Sequence, residues 1–395
     1  MTESMTDHTP TPAFFDSAGC DPAEFEAIVS VTTQLSDYPY AVDVDQEVLV
    51  YDAVGLRTAT ESPAGRRSVM AELAAALRVG PGVVVIRDAV ELGVVSRVTH
   101  AFEQLIQLQH AAGSAVGDHF AVPGANDRVW NALEKLALLD PGAFVDYYAN
   151  DMIALACLAW LGPGYQVTSQ VNVVNPGGAA QSPHRDYHLG FMSDEQAAAI
   201  PAHAHLLSAA LTLQGAVAHC EMPVATGPTK LLPHSHKYPA GYVAWRRTDF
   251  SEYFEQHYVQ QPLAAGDAMF FNPALFHAAG PNVTGDVRRM ANLLQVSSAM
   301  GRAMESVDRA RIIRATYSAL RARVAVGWPA DSVANAVAAC AEGYAFPTNL
   351  DRDPPLSGLA PASQADLVHQ ALAEGWTESQ LDDALDALDV RRRTG

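Results

Sequence analysis

Near residue 165 the spacing of apolar residues changes, and that change limits what the chain can build. Upstream, Arg66 to Arg78 (RRSVMAELAAALR) carries apolar residues at helical spacing and stops at Gly80-Pro81-Gly82. Val83 to Ile86 reads as a short buried strand. Val98 to His110, Val129 to Leu139 and Phe144 to Leu161 read as further helices. From Gln166 to Asn175 (QVTSQVNVVN) the period becomes two. Val167, Val171 and Val173 fall on one face, Gln170 and Asn172 on the other. Leu207 to Gln214, Ala268 to Asn272 and Arg288 to Ser297 are also strand-like, with Gly and Pro at 176–178, 227–228, 266 and 280–281 between them. Many short strands with turn signals predict a double-sheet jelly roll between about 165 and 300. After 300 the helical period returns in Val307 to Val326, Asp331 to Ala341, Ser363 to Glu374 and Thr377 to Leu388. The expectation is an α+β chain: a loose arm over 1–20, a β-cored unit over 21–300 with helices ahead of its sheets, and a helical extension over 301–395.

With 395 residues, 49% hydrophobic and 17% charged, the composition is that of a globular chain with a sizeable core. A formal net charge of −19 repels nucleic acid and anionic membranes, so the expected partner is a small molecule. The most apolar stretch, Met152 to Leu161, is too short to span a bilayer, and the start, MTESMTDHTPTPAFF, does not read as a secretory signal. Cys20, Cys157, Cys220 and Cys340 are scattered and form no CxxC pair, which argues against a zinc ribbon or a disulfide framework and for a reducing cytoplasm. The amphipathic tail helices leave room for a homodimer.

The chemistry concentrates in Gln181-Ser182-Pro183-His184-Arg185-Asp186-Tyr187-His188. On extended backbone, residues two apart point the same way, so His184 and Asp186 present an imidazole and a carboxylate side by side. A helix would separate them. The best third ligand is His277, in GDAMFFNPALFHAAGPN. Two histidines and one carboxylate leave positions open on a metal, the arrangement of non-haem iron(II) oxygenases. Those positions suit a bidentate 2-oxo acid and O2. The far carboxylate of such an acid needs a cation, and Arg288 lies eleven residues past His277 at the opening of the next strand. On that strand Arg288, Met290 and Asn292 share a face, and Arg289 points the other way. Gln170, Asn172 and Thr212 sit on polar faces of expected core strands. They either line the co-substrate pocket or are satisfied structural groups, with Asn172 favouring the pocket. Gln181 and His188 are the candidates for substrate contact. As metal ligands, His188, His234 and His236 rank behind the triad.

Together these blocks resemble the phytanoyl-CoA dioxygenase family of 2-oxoglutarate oxygenases over roughly residues 165 to 300. The resemblance rests on NPGGAAQSPHRD, on Thr226-Gly227-Pro228-Thr229 leading to Leu232-Pro233-His234-Ser235-His236-Lys237, on GDAMFFNPALFHAAGPN, and on the following Arg288. It implies a double-stranded β-helix core of the cupin-like kind and the cofactors Fe(II), 2-oxoglutarate and O2, with ascorbate as the reductant in the test tube. It also implies hydroxylation of an unactivated C–H bond of a small molecule, with release of succinate and CO2. Asp186 favours hydroxylation over halogenation, because halogenating relatives carry Gly or Ala there. Ala279 stands where the family often has Ser or Thr, and His234 replaces the glycine of the "PGSH" stretch. The same site would also serve desaturation, ring closure or epimerisation. A non-catalytic jelly roll that binds a metal or small molecule is the alternative outside enzymes. The helical regions on either side carry no recognisable motif, so substrate choice is expected there and a CoA ester is not carried over.

Overall fold

The computed structural model describes residues 12–113, 125–356 and 358–394. Among these residues eleven strands form two sheets. They are β1 (Asp43–Asp45), β2 (Val48–Asp52), β3 (Val83–Arg87), β4 (Asn126–Val129), β5 (Gln166–Val174), β6 (Thr212–Ala218), β7 (Lys230–Leu232), β8 (Val259–Gln260), β9 (Ala268–Phe271), β10 (Phe276–Ala278) and β11 (Arg289–Ser297). The larger sheet has the order β1-β2-β3-β9-β6-β11-β5-β4, and the smaller β10-β7-β8. All pairings are antiparallel except β2 with β3. The two sheets form the expected jelly roll, with one wall much wider than the other.

The alternation in β5 and β11 decides which side of the large sheet is which. Val167, Val171 and Val173 point to one face, where they join Leu213, Val217, Phe270, Leu294 and Val296 in the main apolar cluster. Each such side chain contributes roughly 1.5–3 kcal/mol when fully buried. Helices cover this face: Leu92–Ala111, Ala132–Leu139, Pro141–Tyr148 and Asp151–Leu161 from before the jelly roll, Arg309–Ala325 and Ala330–Cys340 from after it. Ile312, Tyr317, Val337, Val368 and Leu381 of the tail belong to that same cluster. Arg309 fastens the two together, its buried guanidinium donating to the carbonyls of Val167 (2.6 Å) and Ala339 (2.7 Å). The opposite face of β5 and β11 turns its polar residues toward the small sheet.

Several expectations change in detail. The large sheet takes four of its strands, β1 to β4, from before residue 165, so the β structure is not confined to 165–300. Leu207 to Leu211 is not strand: Ala202–Ala210 (AHAHLLSAA) is a helix, as its alanines favour, and β6 begins only at Thr212. Phe144 to Leu161 divides at Asn150, whose side chain accepts from the Met152 and Ile153 amides and starts a second helix. Residues 1–11 of the expected loose arm lie outside the described residues. The rest of it, 12–20, is packed: Phe15 and Cys20 are buried with Phe25, Phe250 and Phe276, and the Ala13 carbonyl accepts from the Ala202 amide at 2.9 Å.

Candidate metal centre and active-site cavity

Between the sheets lies a cavity of about 410 Å³. Its floor is the polar face of the large sheet. Asn172 of β5 stands beside Arg128 of β4 and Ala291 of β11; Gln170 stands beside Leu293 of β11, and Leu293 beside Ala216 of β6. An amide ladder crosses this floor: Arg128 donates to Gln170 Oε1, and Gln170 Nε2 donates to Gln295 Oε1 at 3.1 Å.

His184, Asp186 and His277 meet at the side nearer the small sheet, their ligand atoms all within 4.8 Å of one another. The backbone explains the meeting. His277 sits in β10 and exchanges hydrogen bonds with His184, 2.9 and 3.1 Å, in an isolated antiparallel bridge. The Asp186 amide donates to the Pro273 carbonyl at 3.1 Å, which ties the 184–186 segment to the turn ahead of β10. On this extended segment His184 and Asp186 face the cavity and Arg185 faces away, as the two-residue period requires.

Each histidine is held in the form a metal needs. His184 Nδ1 donates to the Ser182 carbonyl (2.9 Å) and His277 Nδ1 to the Leu275 carbonyl (2.8 Å). That leaves the Nε2 lone pairs facing Asp186, 3.6 Å from Oδ1 for His184 and 3.4 Å from Oδ2 for His277. Burial opposes ionisation of Asp186, but positive charge at His184 and His277, carried by protons on Nε2 where a metal would otherwise sit, and the amide of Gln214 outweigh it and hold the carboxyl well below the usual carboxylate range. Gln214 Nε2 donates to Asp186 Oδ2, while its Oε1 has no partner. The edge of the Phe271 ring closes on His277, centroids 4.9 Å apart.

The remaining candidates divide. Gln170, Asn172 and Gln181 line the cavity, and the Oδ1 of Asn172 is buried without a partner. Gln181 is braced against Ala279, whose amide donates to Gln181 Oε1 at 3.2 Å. Thr212 and His188 do not line it. Thr212 lies one residue pair beyond the cavity on β6, its hydroxyl turned to the Ser208 carbonyl, and Gln214 occupies the position it was expected to fill. His188 lies beside the Ser208 hydroxyl at 3.1 Å. Arg288 is also outside. Its side chain is 43% exposed and pairs with Glu103 (3.1 Å) and Asp127 (3.6 Å) on the outer side of the sheet. Arg289 faces the cavity instead. Arg288, Met290 and Asn292 do share a face, but it is the helix-covered one, with Met290 in the main apolar cluster, and the cavity side belongs to Arg289, Ala291 and Leu293. Arg289 is 6% exposed, and among the described residues no hydrogen bond or ion pair holds its guanidinium. Burial lowers its pKa to about 10, so it keeps its charge.

Two imidazoles and a carboxylate on the inner face of a jelly roll define the class of mononuclear non-haem metal enzymes. The chain belongs to the phytanoyl-CoA dioxygenase family, whose model matches residues 80–290. No curated protein matches it. Among solved structures it is similar to the non-haem α-ketoglutarate-dependent epimerase SnoN from nogalamycin biosynthesis (19% identity, 60% of this chain and 82% of that one, TM-score 0.40). It is similar also to the carbocyclase SnoK from the same biosynthesis (20%, 61% and 89%, 0.41) and to AviO1 from Streptomyces viridochromogenes Tue57 (17%, 58% and 96%, 0.42). Among the described residues no helix is long and apolar enough to cross a membrane.

Proposed function

We propose that this protein is an iron(II)- and 2-oxoglutarate-dependent dioxygenase that hydroxylates an unactivated C–H bond of a small molecule. One observation carries the reading: two Nε2 lone pairs and an ionised carboxylate converge in the cavity that also holds the unpaired, buried cation Arg289. The donor set suits Fe(II), and the guanidinium suits the far carboxylate of a 2-oxo diacid. His184, Asp186 and His277 would hold the iron, and Arg289, in place of Arg288, would anchor the co-substrate. When bound, the iron supplies O2 activation coupled to conversion of 2-oxoglutarate to succinate and CO2.

The chain's own residues do the rest. The Ser182 and Leu275 carbonyls fix the histidine tautomers, and Gln214 holds Asp186 in place. Ala216, Ala218, Met222, Leu263, Met269 and Phe271 wall the cavity and limit water. Asn172 Oδ1 and Gln214 Oε1 are unused acceptors on the floor, available to a hydroxyl or amine of the substrate.

The test is succinate formation by the purified protein with Fe(II), ascorbate and 2-oxoglutarate in air, beside a His184→Ala/Asp186→Ala control. Succinate from the wild type alone is expected. An anaerobic Fe(II) titration accompanies it, and a 2-oxoglutarate-dependent visible absorption band is expected there. Neither succinate nor the band would refute the reading and leave a binding protein. Once a substrate is found, a gain of 16 mass units marks hydroxylation and a loss of 2 marks desaturation or ring closure.

A further inference from the structure

Arg185 stands between two of the residues proposed to hold the metal and points away from the cavity. It is 2% exposed. Its Nη2 donates to the carbonyls of Ser235 (2.6 Å) and Tyr238 (3.0 Å). Its Cζ lies 5.1 Å from the ring centroids of both Tyr242 and Phe276. Among the described residues no carboxylate comes within ion-pair distance of it, and its Nε has no acceptor. Residue 241 is glycine, and a Cβ there would lie 1.9 Å from the Arg185 Cζ. The slot for this guanidinium exists only because that side chain is missing.

A buried cation without a counter-ion is a poor device for packing alone, because an apolar side chain of similar length would fill the slot without the desolvation cost. What the guanidinium gains is connection. Phe276, on which it lies, immediately precedes His277, and the Phe276 amide donates to Ser235 Oγ at 2.8 Å. Tyr242, whose ring lies equally near, donates its hydroxyl to the Asp186 carbonyl at 3.2 Å. The segments carrying His184, Asp186 and His277 are thus all fastened to one group behind the cavity.

We propose that Arg185 is a positioning residue. Its guanidinium clamps the segments that bear the three ligands and sets their spacing for the metal, an inference that rests on the metal-site reading above. An ammonium at the same place could donate to both carbonyls, as Nη2 alone does, but it lacks the flat surface that meets two rings, so charge alone does not replace it.

The experiment titrates metal-free wild type, Arg185→Met, Arg185→Lys and Tyr242→Phe with Ni(II) by calorimetry, and measures the thermal midpoint of each metal-free protein. Both Arg185 variants are expected to fold and to bind Ni(II) about 10- to 100-fold more weakly, the scale for lost support of a ligand. Tyr242→Phe keeps the ring and loses only the bond to Asp186, and a smaller weakening is expected. An Arg185→Met protein that folds and binds Ni(II) within twofold of wild type overturns the clamp. If neither Arg185 variant folds, Tyr242→Phe decides, and an unchanged affinity there overturns it equally. Absence of Ni(II) binding by the wild type would sink the metal-site reading, and the clamp with it. Tight binding shared by every variant overturns the clamp alone.

Discussion

Replacing Arg289 and Arg288 in turn by methionine separates two adjacent cations that the strand sends to opposite faces. Arg289 is buried, unpaired and turned into the cavity. If it grips the far carboxylate of 2-oxoglutarate, its removal costs a forked, charge-assisted contact at about 1.5–3 kcal/mol per hydrogen bond. Two such bonds make a loss of at least about 3 kcal/mol, or roughly 100-fold or more in affinity, since about 1.4 kcal/mol is a factor of ten. Arg288 is 43% exposed, and its pairs with Glu103 and Asp127 belong to the class of surface contacts worth about 0–1 kcal/mol of stability. Arg288→Met should therefore leave 2-oxoglutarate affinity within about twofold of wild type. The assay is anaerobic calorimetry of 2-oxoglutarate binding to Ni(II)-loaded protein, which needs no substrate. Wild-type affinity in Arg289→Met together with a large loss in Arg288→Met would refute the assignment and show that β11 sits one residue out of the register described.

Gln214→Leu keeps the volume and removes the amide on Asp186; Ni(II) affinity should fall about 10-fold with the thermal midpoint of the metal-free protein little changed, and calorimetry would show it. Burial lowers the pKa of His219 to about 3 and that of His234 to about 4, the latter helped by Lys237, so both stay neutral in the folded protein. The unfolded chain binds those protons first, near pH 6.5, so stability should fall as the pH drops from about 6.5 toward 4, by roughly 1.4 kcal/mol per pH unit for each histidine. A urea midpoint that stays flat from pH 7 to pH 5 would contradict this. Tyr317 is fully buried and donates to the Ala371 and Trp376 carbonyls; Tyr317→Ala should cost about 3–5 kcal/mol and lower a single unfolding transition. A separate early transition of the tail that spares 2-oxoglutarate binding would show that the tail helices do not share the core.

The metal triad was legible because its signal is local. His184 and Asp186 need only extended backbone to share a face, and His277 sits in a block of recognisable spacing. Gln170 and Asn172 follow from the same alternation. The alternation separated Arg288 from Arg289, but not which of the two faces the cavity, because that depends on which side of β11 the distant helices cover. Thr212 had the right parity and the wrong depth, and Gln214, two residues on, reaches the cavity. Ahead of residue 165 only β3 was legible, as the apolar run Val83 to Ile86; β1, β2 and β4 hid because each is short, and β4 pairs with β5, distant in sequence. No spacing within the chain records such pairing. Arg185 was visible in the motif, but its role depends on a glycine fifty-six residues away.

The valine face of β5 has to wait for the last part of its cover during synthesis. Strand β5 pairs with β11, more than a hundred residues later, and Arg309–Ala325 and Ala330–Cys340 emerge later still. A nascent chain halted before residue 309 leaves part of a wide apolar sheet surface open to water, the kind of surface that invites association with other chains. Closure is therefore the last act of translation rather than a running process, and the contacts it needs are long-range ones that form slowly. Co-expression with chaperones should help this protein most when translation is fast, and a ribosome-stalled series ending on either side of residues 309–340 should pass from aggregating to soluble across that interval.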